Sequence, residues 1–224
     1  MSVREYLHLP EVWQRRLTWL MEIALVGMFF IGIDRGNTGI IVNTAVALGV
    51  TQLPPILSRD FDVPMNAGLT LWITTAVFLH ALGTVGVPGS GLSFYRTIPW
   101  WDHLTHALSS SIVAAVGYAT ARSFDEYAEG VTLPPKFMTV FILLFVLAFG
   151  VLWEVIEFVL AEVATTLGTS TVLTQYGLED TMLDLVFDTV GAIIVALWGG
   201  AHLTGVVSAF GEYVGRRRRD GDGS

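Results

Sequence analysis

An all-α, polytopic membrane protein is the fold class this sequence predicts, and three observations predict it. Of the 224 residues 53% are hydrophobic and only 14% charged, against about 25% charged in an ordinary soluble domain. Mean hydropathy is +0.61, and the apolar stretches each come near the roughly 20 residues that a bilayer core demands. The Arg and Lys residues gather in alternate connections between those stretches, as loop charges do when a chain crosses a membrane repeatedly.

Taken in order, residues 3–16 mix apolar and charged groups around Trp13 and read as an amphipathic helix lying in the interface. About six spans follow, at 17–33, 38–57, 67–87, 103–121, 137–161 and 181–203. The first comes after Arg15 and Arg16, but no small-residue cleavage site closes it as a signal peptide. The second carries Asn37, Asn43 and Gln52 and meets Pro54 and Pro55 near its end, which suits a span packed among other helices. Residues 1–215 are expected to form one bundle domain, and 216–224 a disordered cytoplasmic tail of mixed charge.

With the N-terminus inside, the cytoplasmic segments hold Arg4, Arg15, Arg16, Arg59, Arg122, Lys136 and the four arginines at 216–219, while the external loops hold Arg35 and Arg96. That asymmetry predicts a plasma-membrane protein with both termini cytoplasmic. The run at 216–219 flanks a span, so no nucleic-acid partner is expected and membrane lipid is the expected surroundings. Net charge is −8, with eleven Arg against one Lys. Acidic excess with scarce Lys fits a salty cytoplasm, hence an archaeal or halophilic source; GC-rich codon bias is the plain alternative. Cysteine is absent, which excludes disulfides and thiolate metal sites.

The chemistry-bearing residues fall at one side of this topology. Span four begins W-W-D-H-L-T-H with Asp102, His103 and His106; span five ends W-E-V-I-E-F with Glu154 and Glu157; span six opens with Asp180, Asp184 and Asp188 at i, i+4, i+8; and His80 lies toward the outer end of span three. Four helices thus bring acids and imidazoles toward the extracytoplasmic side. No Lys or Arg lies inside those spans, so protons, protonated histidines or a cation must balance the acids. An oxygen and imidazole set suits Mg, Mn, Fe or Zn. The candidate metal ligands are His80, Asp102, His103, His106, Glu154, Glu157, Asp180, Asp184 and Asp188, with His106 and Glu154 as candidate catalytic bases.

Plain structural roles stand beside these. A lone histidine in a span is commonly a hydrogen-bonded packing residue, which is the simpler reading of His80. Asp102 and Asp180 could cap their helices, and Ser109, Ser110 and Ser111 suit close helix packing. Trp100, Trp101 and Trp153 read as belt residues. Asp184, Asp188, Glu154 and His106 sit a turn or more inside apolar sequence and are the hardest to explain structurally. No H-E-x-x-H, Gly-rich phosphate loop or Ser–His–Asp signature is present.

Through F-L-H-A-L-G at 78–83, W-D-H-L-T-H at 101–106, W-E-V-I-E-F at 153–158 and D-T-M-L-D-L-V-F-D at 180–188, the chain resembles the YjdF-like family of inner-membrane proteins, a domain of unknown function, and more distantly the VanZ-like membrane proteins. The likeness covers about residues 80–191. It implies that His80, Asp102, His106, Glu154, Glu157, Asp180 and Asp184 occupy the family's recurring polar positions. Thr84, Val85 and Gly86 replace an aromatic-rich continuation, and a glutamine often found near the last motif is absent.

The function expected is a metal-dependent enzyme acting on a lipid or lipid-linked substrate. A cation- or proton-coupled transporter and a non-catalytic scaffold with a structural polar core are the alternatives.

Overall fold

The computed structural model describes residues 9–87, 92–169, 171–173 and 176–221, with side chains described as far as 213. The described residues are helical apart from one antiparallel bridge between Gly86 and Ser93 and the connecting turns. They cluster into two compact units, one within Met1–Ile56 and Met65–Thr97, the other within Leu57–Pro64 and Ile98–Ser224.

The first unit is built on α1 (Glu11–Asp34), α2 (Thr38–Thr51), α4 (Ala67–Thr84) and the short α5 (Phe94–Thr97). Between α1 and α2 the chain turns at Gly36, whose φ of 57° suits a residue without a Cβ. Asn37 then caps α2, its side-chain oxygen accepting from the Ile40 N–H at 3.0 Å. Leu25 and Met28 of α1 close on Ile40, Ala47 and Ala81 to make the core of this unit. The linking α3 (Leu53–Asp60) carries Pro54 and Pro55 in its first turn, where a missing N–H costs no helical hydrogen bond.

The second unit holds α6 (Trp101–Tyr127), α7 (Pro135–Leu167), α8 (Leu178–His202) and α9 (Thr204–Gly221). Helix α6 contacts all three others. A Cβ on Gly117 of α6 would run into the Phe145 ring of α7, so the glycine seats that aromatic. Outward-facing Val140, Leu144, Leu152 and Phe158 on α7 are exposed, as lipid-facing side chains should be.

Five stretches are long and apolar enough to cross a membrane: Glu11–Asp34, Thr38–Asp60, Ala67–Thr84, Pro135–Leu167 and Leu178–His202. They match five of the expected spans. The remaining one, expected at 103–121, is α6, whose 27 residues extend about 40 Å. Its length suffices, but Thr105, Ser110, Ser111 and Ser123 are buried along it. Their hydroxyls donate to carbonyls of α6 itself, three residues back, and these polar residues lower the helix's hydropathy.

Two expectations at the chain ends change. Residues 1–8 lie outside the described residues, and α1 begins at Glu11, so what is described of the interfacial segment 3–16 is the start of a long helix. At the other end, α9 runs to Gly221. Backbone 216–221 is therefore helical where a disordered tail was expected, because the helix begun at Thr204 is carried on by residues of good helical propensity such as Arg. Residues 222–224 lie outside the described residues.

Candidate functional site

Helix α8 buries Asp184, Asp188, Gly191, Ala192, Val195 and Gly199, which share one face at helical spacing. Gly191 lets that face approach α6 closely: a Cβ there would strike the Ser110 hydroxyl, the Ala107 carbonyl and the Ser111 amide. The close approach carries His106 of α6 into the α8 acids.

His106 is surrounded by carboxylates. Its Nε2 lies 3.7 Å from Asp102 Oδ1 and 3.9 Å from Asp184 Oδ1, and its Nδ1 lies 3.3 Å from Asp188 Oδ1. Asp102, His106 and Asp184 can each offer one ligand atom such that all three lie within 4.8 Å of one another. Metal–oxygen bonds of about 2.1 Å at right angles would set donors roughly 3 Å apart, so side-chain adjustments of about an ångström would close this group on a cation. Asp184 is 1% exposed, and its Oδ1 makes no hydrogen bond among the described residues.

The α7 acids face the same region. Buried Glu154 accepts from the Thr181 hydroxyl at 2.8 Å, and buried Glu157 accepts from the Trp153 indole N–H at 2.9 Å. Glu154 acts electrostatically on Asp102, Asp184 and Glu157, His106 and Asp102 on Glu157, and Asp180 on Asp102 and Asp184. Two ionised carboxylates some 4–5 Å apart repel by about 3–4 kcal/mol at an effective dielectric of 20. Asp102, Asp184 and Asp188 each pair with His106. Arg122, the basic residue of α6, pairs instead with Asp125 and Glu126 near the far end of that helix.

Three expected ligands take other partners. The His103 ring stacks on Phe187 of α8, centroids 4.4 Å apart and planes 6° from parallel. Asp180 accepts from the Tyr176 N–H at 3.0 Å, tying the chain before α8 to the helix's first turn, whose N-cap residue is Gly177. His80 belongs to the first unit, where Nε2 lies 3.2 Å from Asn43 Oδ1 and Nδ1 2.9 Å from the Tyr95 hydroxyl.

Several contributing residues were not singled out from sequence. Gly150 is one: a Cβ there would strike the Asp188 carboxylate. It stands at i−4 from Glu154, so helical spacing alone would have put it on the same face. Trp153, read as a belt residue, holds Glu157 from one turn earlier. Thr181 follows the acid stripe's first member, and only the packing of α7 on α8 reveals its partner.

A family model described as "Predicted membrane protein (DUF2238)" matches residues 16–205, a longer stretch than the 80–191 that carries the motifs. A Thermotoga maritima protein described as "Uncharacterized protein" is 34% identical over 130 residues, covering 56% of this chain and 58% of that one. The alignment thus spans less than two thirds of that relative. No solved structure matches. The chain belongs to the DUF2238 family of membrane proteins.

Proposed function

We propose that this member of the family is a metal-dependent membrane enzyme whose centre is the Asp102, His106 and Asp184 group, acting on a lipid or lipid-linked substrate. The observation that carries the reading is Asp184 Oδ1, a buried carboxylate oxygen without a hydrogen bond among the described residues, grouped with Asp102 and the His106 imidazole, which could share a cation with it. Leaving a buried anionic oxygen unsatisfied costs several kcal/mol, and a cation would remove that cost. The donor set of two carboxylates and an imidazole suits Mg, Mn, Fe or Zn.

When bound, such an ion would polarise a phosphoryl or ester oxygen. Asp102, His106 and Asp184 would hold it. Glu154, oriented by the Thr181 hydroxyl at 2.8 Å, would take the proton of an attacking water.

The depth of the site supports a headgroup substrate. Asp102 and Arg122 are twenty positions apart on α6, about 30 Å, which is the thickness of the hydrocarbon core. The acids would then lie at one interface, beside Trp100 and Trp101, and the Arg122, Asp125 and Glu126 group at the other. Positive-inside charge makes the second of these cytoplasmic, in the plasma membrane with both termini inside.

The test is release of water-soluble headgroup or phosphate from mixed lipid vesicles by the purified protein, with and without a chelator. The reading expects cation-dependent release in wild type and none from Asp184→Asn or Glu154→Gln. A folded, cation-loaded protein that cleaves no lipid ester overturns the enzyme, and cation flux in the same vesicles would make it a carrier.

A further inference from the structure

Asp188 stands apart from the other acids in what it touches. Its Oδ1 is 3.3 Å from His106 Nδ1, the nitrogen on the opposite side of the ring from the one facing Asp102 and Asp184. It is 5% exposed, and its second oxygen occupies the space that a side chain on Gly150 would fill. Helix α7 thus provides a notch with no Cβ, and the Asp188 carboxylate sits in it.

A ring nitrogen beside a carboxylate acceptor carries its hydrogen. We infer that Asp188, seated in the Gly150 notch, is a positioning residue: it accepts the Nδ1 hydrogen of His106 and so aims Nε2 at the Asp102 and Asp184 oxygens. This assigns Asp188 a place behind the ligands rather than among them. Metal-bound histidines commonly donate their other ring N–H to a carboxylate, which fixes the ring and raises its basicity. The role of Nε2 as a ligand rests on the proposed metal centre; the Nδ1–H to Asp188 bond does not.

Two measurements separate these layers. In full-length protein with 15N-labelled histidine in nanodiscs, without added metal, His106 should show an Nδ1–H cross-peak protected from exchange. Asp188→Ala should erase it, and Gly150→Ala, which keeps both partners but displaces the carboxylate, should weaken or shift it. Titration with Zn2+ should then perturb Nε2 and leave the Nδ1 proton in place. Zinc affinity should fall about 10- to 100-fold in both variants while stoichiometry holds at high zinc. An unprotonated Nδ1 in metal-free protein overturns the assignment, and so does zinc bonded to Nδ1, which would make Asp188 a ligand. A protected Nδ1–H in a protein that binds no zinc would uphold the positioning role and overturn the metal centre alone.

Discussion

Each unit holds a half-buried histidine among its helices, and the two are held in opposite ways. In the first unit, Asn43 donates its amide to the Gly39 carbonyl at 2.8 Å and so turns its oxygen toward His80 Nε2. That places the His80 hydrogen on Nε2 and leaves Nδ1 to accept from the Tyr95 hydroxyl. In these two bonds donor and acceptor match, and both partners, Asn43 and Tyr95, are neutral. In the second unit His106 faces three carboxylates, with two more on α7 and another at the start of α8. Its hydrogens are too few to satisfy the oxygens around it, and Asp184 Oδ1 shows the shortfall. A buried polar group that balances internally reads as architecture; one that does not balance reads as a place for something else.

The same substitution made in both units should break them differently. His106→Ala, with the largest effect, should abolish binding of the divalent metal, measured as metal bound per purified protein, because it removes the imidazole donor of the group. His80→Ala should leave bound metal unchanged and lower stability by about 1–3 kcal/mol, seen as an earlier thermal unfolding midpoint. Loss of metal in the His80 variant would erase the distinction. Gly191→Ala should cost about 1–3 kcal/mol through overpacking of α6 on α8, because two of the atoms its Cβ would meet are backbone and cannot rotate away. Smallest of all, Tyr95→Phe should cost at most about 1 kcal/mol, with metal content again unaffected.

Much of this contrast was legible in the residues. Hydropathy located the spans because lipid demands long apolar runs, and the i, i+4, i+8 acids of α8 declared a polar stripe because 3.6 residues per turn aligns them. The placement of Asp102, His106 and Asp184 followed from those two facts with the charge asymmetry of the loops. What stayed hidden depends on tertiary neighbours. His80 needs Asn43 and Tyr95 from two other helices before it can be told from a ligand. The Phe187 ring stacked on His103 could not be read from spacing along α6. The Gly150 notch is invisible without the α8 carboxylate that fills it. Helix α9, rich in Gly and Arg, carries no apolar run to announce it, and the division into two units leaves no mark in composition.

The most direct test of a cation centre in the second unit is elemental analysis of the purified, detergent-solubilised protein, wild type beside Asp184→Asn. About one equivalent of a divalent metal in wild type and none in a folded Asp184→Asn variant is the result expected. Equal metal in both, or none in a wild type prepared with metal supplied, would contradict it.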